Sequence, residues 1–138
     1  MVDHGLPVGR LSNVSILVVE DDEDARDLLV TVLTQQGAKV SQAGTASEAL
    51  ALVGQSVPDV VLSDIGLPGE DGYELIRAIR LRGLAADLLP AIALTAYSRR
   101  EDQRLALQAG FQAHVAKPVE PAILVAAVAD VVLSRRRR

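Results

Sequence analysis

Short apolar runs alternate along the chain with longer stretches whose apolar residues recur at helical spacing. The runs are rich in Val, Ile, Leu and Ala and are apolar on both faces, which is typical of strands inside a parallel sheet. Five strands are predicted, over Ser15–Val19, Lys39–Ala43, Val60–Ser63, Ala91–Thr95 and Gln112–Ala116. Five helices are predicted in alternation with them, from Ala25 to a C-cap at Gly37 and over Ala46–Gln55, Tyr73–Arg82, Arg99–Ala109 and Val119–Leu133.

This alternation predicts an α/β fold, a doubly wound parallel sheet of five strands with five helices on its two faces. No long linker divides the chain, so one domain is expected over residues 14–134. Residues 1–13 contain Gly5, Pro7 and Gly9 without periodicity and predict a flexible arm. Residues 135–138 are a basic tail whose cations suit the end of a helix.

Helix starts are marked by side chains that can accept hydrogen bonds from backbone N–H groups. Asp22, Thr45 and Ser98 each precede a predicted helix and are expected to be N-caps. Glu48 lies three residues after Thr45 and predicts a capping box there.

Composition and charge narrow the classes of function. The chain has no cysteine, which excludes disulfides, zinc–thiolate sites and thiol nucleophiles. It shows no apolar stretch of the roughly 18 residues that span a membrane and no signal peptide, so a cytoplasmic protein without a membrane partner is expected. Without the last four arginines it carries 10 basic and 18 acidic residues, a net charge of −8, which disfavours nucleic acid as a partner.

Polar side chains follow the predicted strands where each strand ends. Glu20 and Asp21 follow the first strand, Asp64 the third, and Lys117 the fifth, while Thr95 ends the fourth. Because the carboxyl ends of parallel strands share one edge of the sheet, these groups are expected to meet there.

Crowded carboxylates repel one another and require a positive partner. Oxygen ligands with spare positions suit Mg²⁺, which also holds phosphoryl oxygens. A carboxylate beside Mg²⁺ and an ammonium group is a plausible phosphoryl acceptor, so Asp64 is expected to attack phosphorus while Lys117 offsets the charge on the phosphoryl oxygens. In the loop after Asp64, Glu70 and Asp71 are expected to be solvated turn residues.

Four motifs in order resemble those of the receiver domains of two-component response regulators, the chemotaxis-regulator-like fold. They are ILVVEDD at 16–22, DIGLPGEDG at 64–72, ALTA at 93–96 and AKP at 116–118, and the resemblance covers about Ser15 to Leu133. It implies a flavodoxin-like sheet with strand order 2-1-3-4-5.

The resemblance also implies a role for each matching acidic residue. Asp64 matches the phosphorylated aspartate and is also a ligand of the metal, Mg²⁺ or Mn²⁺. Asp21 matches the direct metal ligand, Glu20 its neighbour that usually acts through water, and Gly66 the residue whose backbone carbonyl completes the metal site.

Other matching residues imply a switch. Thr95 matches the hydroxyl that moves to the phosphoryl group, and Lys117 the lysine of the site, followed by Pro118 at a bond that is often cis in the family. His114 falls at the position of the aromatic switch residue, usually Tyr or Phe, and would follow Thr95 inward. Gly66 and Tyr97 flank the path of hydrolytic water in this family, which predicts slow self-dephosphorylation.

The function implied is a signalling switch rather than an enzyme. A histidine kinase or a histidine phosphotransfer protein would donate the phosphoryl group, and a downstream protein would read the face made by the fourth helix, fifth strand and fifth helix. Ala126, Ala127 and Val128 are expected on that face without the charges that support dimers of winged-helix regulators, so a monomer or a weak dimer is expected.

Two alternatives have different chemistry. A magnesium-dependent phosphatase with an aspartyl-phosphate intermediate needs a second carboxylate two residues after Asp64, where this chain has Gly66. A docking module that is never phosphorylated would not need the acidic, hydroxyl and lysine set. The cluster from Glu20 to Asp24, taken alone, is also compatible with an ordinary acidic helix start.

Overall fold

A computed structural model describes residues 9–67, 69, 71–96 and 100–136. Its strands are β1 (Ser15–Val19), β2 (Lys39–Ala43), β3 (Val60–Asp64), β4 (Ala91–Thr95) and β5 (Ala113–Ala116). Its helices are α1 (Glu23–Gln35), α2 (Ala46–Gln55), α3 (Gly72–Leu81), α4 (Arg100–Ala109) and α5 (Pro121–Arg136). None of these helices is long and apolar enough to cross a membrane.

The five strands form one parallel sheet in the order β2-β1-β3-β4-β5, as predicted. Buried residues of α2, α3 and α4 cover one face of the sheet, and those of α1 and α5 cover the other. The central strands β3 and β4 are buried at every position, which explains why their sequences are apolar almost throughout. Because all strands are parallel, their carboxyl ends lie along one edge.

Local hydrogen bonds set the helix starts. Asp22 and Thr45 cap α1 and α2 as predicted, by accepting from the N–H groups of Ala25 at 2.8 Å and Glu48 at 3.1 Å. The expectation for Asp71 is wrong, because its Oδ1 accepts from Glu74 N at 2.9 Å and caps α3. The other predicted turn residue, Glu70, and the predicted N-cap Ser98 lie outside the described residues.

Other predicted boundaries shift by a few residues. Helix α5 begins at Pro121 rather than Val119, since proline suits the first helical position, and it continues to Arg136. Strand β5 begins at Ala113 because the side chain of Gln112 turns back to accept from Ala91 N at 2.8 Å. Gly37 follows the C-cap of α1 with φ of 91°, a left-handed conformation that glycine adopts without strain.

The chain before β1 departs from the expected flexible arm over 1–13. Leu11 is only 1% exposed, belongs to the core between the sheet and helices α1 and α5, and donates its N–H to Gln36 O at 2.9 Å. Residues 9–13 therefore pack against the end of α1, and residues 1–8 lie outside the described range. In the predicted basic tail, Arg135 belongs to α5, and residues 137–138 lie outside the described range.

The predicted composition of the surface formed by α4, β5 and α5 needs one correction. Val128 is fully buried in the core under α5 and does not lie on that surface, because its side chain packs toward the sheet. Ala126 and Ala127 are half-buried. Leu107 of α4 is 60% exposed and supplies apolar area there instead.

Candidate functional site

The carboxyl edge of the sheet brings the predicted site residues together from four strands. Glu20 continues the β1 ladder by donating its N–H to Ala43 O at 3.0 Å. Asp64 is the last residue of β3 and pairs in register with Leu94, and Lys117 continues β5 by donating its N–H to Thr95 O at 2.8 Å. The backbone hydrogen bonds of the sheet therefore fix the backbone position from which each of these side chains extends.

The Lys117 ammonium bridges the two buried carboxylates. Its Nζ lies 2.9 Å from Asp64 Oδ2 and 3.1 Å from Glu20 Oε1. The side chains of Asp64 and Glu20 are 12% and 2% exposed, whereas the side chain of Lys117 is 31% exposed. A buried like-charged pair is thus held together by one cation, the arrangement that removes most of its repulsion.

The surroundings of Glu20 and Asp64 shift the pKa values of the two carboxyl groups in opposite directions. Burial raises the pKa of Glu20 above its ordinary value, the hydrogen bond and negative charge of Asp64 raise it further, and Lys117 opposes this only in part. Burial also acts to raise the pKa of Asp64, but hydrogen bonds from Lys117 and from the Gly66 N–H outweigh it and hold that pKa low. Asp64 is therefore the carboxylate that stays ionised most readily.

The lysine itself is held in its charged form. Burial acts to lower the pKa of Lys117, but its hydrogen bonds to Asp64 and Glu20 outweigh burial and raise that pKa. A permanent positive charge beside Asp64 is the result, and it can offset negative charge that develops on a phosphoryl group.

Three acidic residues lie close enough to hold one metal ion. One carboxylate oxygen from each of Glu20, Asp21 and Asp64 can be chosen so that all lie within 4.8 Å of one another. Asp21 is exposed and makes no hydrogen bond within the described part of the chain, so both of its oxygens are free to bind an ion. An all-oxygen set with open positions fits Mg²⁺ or Mn²⁺ rather than a softer metal.

The loop after β3 is shaped around Asp64. The Gly66 N–H donates to Asp64 Oδ1 at 3.1 Å, which orients the carboxylate and places Gly66 beside the acidic group. The start of α3 also packs against this loop, since a Cβ added to Gly72 would lie 2.5 Å from Asp64 O and 2.8 Å from Ile65 Cα. Gly72 is a positioning residue that appeared in the sequence analysis only as the last residue of the motif at 64–72.

The Thr95 hydroxyl is buried at the same edge. The residue is 4% exposed, and its Oγ1 has no hydrogen-bond partner among the described residues. A buried hydroxyl without a partner costs free energy, so it favours any acceptor that comes within reach. His114, in contrast, is exposed on the edge strand β5.

A cavity of about 280 Å³ opens beside Asp64, and Thr95 and Lys117 also line it. Sequence reasoning missed two further side chains in its wall, Tyr73 of α3 and Asp102 of α4. Both lie near helix starts without any motif, so nothing in their local sequence separates them from ordinary surface residues.

A larger cavity of about 640 Å³ lies away from this edge, between α4, β5 and α5, with Phe111, Val131 and Arg135 in its wall. Among the described residues its wall holds no cluster of acidic groups, so size alone does not identify the site. The Lys117–Pro118 peptide bond is cis, as the resemblance implied.

Comparisons with known proteins agree with this geometry. The family model described as response regulator receiver domain matches residues 16–129. The chain is 47% identical over 116 residues to an uncharacterized 14.6 kDa protein of Leptolyngbya boryana, an alignment that covers 83% of this chain and 87% of that protein. It is 38% identical over 114 residues to the transcriptional regulatory protein AfsQ1 of Streptomyces coelicolor, of which it spans 49%.

Solved structures give the same picture. A CheY-like response regulator receiver domain protein from Methanospirillum hungatei JF-1 superposes with a TM-score of 0.81 at 31% sequence identity. The superposition covers 91% of this chain and 98% of that one. The chain thus matches whole receiver domains, but only about half the length of AfsQ1.

Proposed function

This chain belongs to the family of response regulator receiver domains, and we propose that it is a switch that takes a phosphoryl group from a phosphohistidine onto Asp64. The donor is a histidine kinase or a histidine phosphotransfer protein. The observation that carries the proposal is the double contact of Lys117 with Asp64 and Glu20, beside Asp21. Crowded carboxylates cost stability, and such clusters occur preferentially at functional sites.

Each side chain has a task in the transfer. An oxygen of Asp64 attacks phosphorus, the P–N bond to the imidazole breaks, and the imidazole leaves with that electron pair and takes up a proton. The Gly66 N–H holds the other oxygen of the nucleophile in place. Lys117 offsets charge on the phosphoryl oxygens during the transfer.

Glu20, Asp21 and Asp64 would hold Mg²⁺, with the backbone carbonyl of Gly66 proposed as a further ligand. When bound, the ion supplies charge neutralisation to the phosphoryl oxygens. The three carboxylates also offset the positive charge of ion and lysine, so the group is closer to neutral when it is loaded.

Phosphorylation would be read through Thr95 and His114. The new phosphoryl oxygens offer an acceptor to the Thr95 hydroxyl, which lacks a partner in the described part of the structure. Movement of Thr95 toward Asp64 leaves space at the start of α4, into which His114 turns from its exposed position. The surface formed by α4, β5 and α5 then changes, and a downstream protein binds it in one state.

The test is phosphorylation by a small donor. With acetyl phosphate and Mg²⁺, the wild-type protein is expected to gain one phosphoryl group by intact-mass spectrometry, and a chelator is expected to prevent it. Asp64→Asn is expected to abolish the gain, whereas Asp27→Asn, the same change on the exposed face of α1, should leave it intact. Equal labelling of the Asp64→Asn variant and the wild-type protein would refute the proposal.

The same assay separates the alternatives. A docking module would gain no phosphoryl group and bind no Mg²⁺. A phosphatase would release phosphate continuously from acetyl phosphate, whereas a switch is expected to stop near one equivalent because hydrolysis is slow. The residue proposed to shield the phosphoryl group, Tyr97, lies outside the described residues, so its contribution is tested only by comparing phosphoryl lifetimes of wild type and Tyr97→Ala.

A further inference from the structure

The cavity beside Asp64 has a second acidic side chain in its wall that the proposed transfer does not use. Asp102 lies in the first turn of α4 and lines this cavity of about 280 Å³ together with Asp64, Thr95 and Lys117. Its Oδ2 atom is buried and receives no hydrogen bond from the residues that the structure describes. A buried carboxylate oxygen without a donor is poorly screened by water, so its charge acts strongly on neighbouring groups.

No cation in the described ranges forms an ion pair with Asp102. Lys117 already bridges Glu20 and Asp64. Arg104, two residues beyond Asp102, pairs with Glu101 on the exposed side of α4 at 2.6 Å. Asp102 therefore lines the cavity without being part of an ion pair among the described residues.

A neighbouring group responds to this charge. Tyr73 of α3 lines the same cavity, and its pKa is raised above the ordinary value, first by burial and then by the charges of Asp102 and Asp71. The field of Asp102 thus reaches the α3 side of the space that adjoins the phosphoacceptor.

We propose that Asp102 is an electrostatic brake on phosphorylation, whose carboxylate disfavours a second anion in the cavity beside Asp64 and so lowers the population of the phosphorylated state. The inference rests on the proposed role of Asp64. A phosphoryl group replaces one negative charge there by about two. Thr95, whose buried hydroxyl is proposed to bind the added oxygens, lines the same cavity as Asp102.

The brake has a second consequence, because coupling between two sites is reciprocal. If Asp102 opposes the phosphoryl group, the phosphoryl group opposes the present position of Asp102 by the same free energy. Since Asp102 lies on α4, loading of Asp64 pushes on the first turn of this helix, which is part of the surface proposed to bind the downstream protein.

The test measures binding of beryllofluoride, a stable mimic of a phosphoryl group, at saturating Mg²⁺ by ¹⁹F NMR. Asp102→Asn keeps the shape and removes the charge, and it is expected to bind the mimic at least about threefold more tightly than wild type. Asp102→Ser keeps a residue that suits a helix start and must change affinity in the same direction. Glu101→Gln removes a charge from a neighbouring side chain that is 61% exposed, and it should leave the affinity unchanged.

The outcomes separate this inference from the proposed function. Wild-type binding with equal or weaker binding by both Asp102 variants overturns the brake and leaves the phosphoacceptor role intact. Equal gains for the Asp102 and Glu101 variants also overturn it, because the effect would then be one of net charge. A wild-type protein that neither binds beryllofluoride nor gains a phosphoryl group refutes both proposals.

Discussion

The polar groups at the two edges of the sheet are paired in different ways. At the carboxyl edge, Glu20 and Asp64 share one lysine, and the buried oxygen atoms of Thr95 and Asp102 have no partner within the described residues. At the amino edge, Arg80 and Asp59 join several elements by hydrogen bonds, and only the buried Gln36 Oε1 is without a partner among the described residues there. The comparison teaches that the carboxyl edge gathers like charges around one lysine beside a cavity, whereas the amino edge is held together by hydrogen bonds between separate elements.

Arg80 and Asp59 are the centres of the amino edge. The Arg80 guanidinium donates to four oxygen atoms at 2.6 to 3.1 Å. The acceptors are the oxygens of Leu84 and Leu89, between α3 and β4, and of Gly110 and Gln112, between α4 and β5. Asp59 accepts from Ser15 N at 2.8 Å and pairs with Arg135 at 2.9 Å, which joins β1, β3 and the end of α5.

The largest expected effect is loss of the Arg80 network. Arg80→Met would remove the side-chain donor of Leu84 O and Leu89 O and one of the two donors of Gly110 O and of Gln112 Oε1, and a loss of about 3 kcal/mol in the free energy of unfolding is expected. Urea unfolding followed by circular dichroism measures it. Arg77→Met, on the exposed face of the same helix, is the control and should change stability by less than about 0.5 kcal/mol. Similar stabilities for the two variants would contradict the importance of the network.

The next effect tests how tightly the carboxyl edge is built. Gly72→Ala would place a methyl group against Asp64 O and Ile65 Cα, and the strain should cost about 2 kcal/mol. Because the displaced backbone carries Asp64, labelling by acetyl phosphate should also slow by about tenfold or more.

The control for this change is Gly54→Ala in α2, where the added Cβ would have its nearest contact at 3.7 Å. That variant is expected to keep the wild-type labelling rate and to gain up to about 1 kcal/mol from helix propensity. A Gly72→Ala protein that labels as fast as Gly54→Ala would show that the close approach does not position Asp64.

A smaller effect is expected at Asp59. Burial acts to raise the pKa of this group, but hydrogen bonds from the Ser15 N–H, Arg135 and the Ser15 hydroxyl outweigh it and hold that pKa below its ordinary value. Asp59→Asn should therefore cost about 1.5 kcal/mol near pH 7. Since the folded pKa is depressed, this stabilisation is present above the unfolded pKa of about 3.9 and is lost as pH falls through the folded value.

Urea midpoints measured from pH 7 to pH 3 check this. The difference between wild type and Asp59→Asn should be constant down to about pH 5 and shrink below about pH 4. Asp27→Asn, an exposed site on α1, should show no comparable difference at any pH. A difference that grows as the pH falls would have the wrong sign.

The smallest effect has the opposite sign and sharpens the comparison. Glu20→Gln removes one of the two carboxylates that Lys117 bridges, so in the presence of a chelator stability should stay the same or rise by up to about 1 kcal/mol. Glu74→Gln, at an exposed position of α3, should be neutral. A loss of more than about 1 kcal/mol in Glu20→Gln would mean that this edge, like the amino edge, is built for stability.

Much of this arrangement was predictable because its signals are local. The spacing of apolar residues predicted all five strands and five helices, and single side chains such as Asp22 and Thr45 predicted where helices begin. The meeting of Asp64 and Lys117 also followed, since carboxyl ends of parallel strands share an edge. Asp71 was misjudged, because an aspartate before a helix and an aspartate in a solvated turn look alike in sequence.

Other residues carry no local signal at all. Arg80 lies in an ordinary amphipathic helix, and its four acceptors become neighbours only when the loops after α3 and α4 fold beside each other. Leu11 was assigned to a flexible arm because its surroundings contain Gly9 and no periodicity, yet it fills a gap under α1. Asp102 was unremarked because acidic residues are common near helix starts.

The sequence by itself determined the order and type of the elements, the strand ends at which chemistry is expected, and the family to which the motifs point. Only the tertiary structure decided that Lys117 reaches both Asp64 and Glu20, and that Thr95 and Asp102, each with a buried oxygen that lacks a partner among the described residues, line one cavity. It also decided that long side chains join separate elements at the amino edge. The reason is physical. Periodicity and capping depend on residues within a few positions of each other, whereas these contacts depend on how separate elements pack.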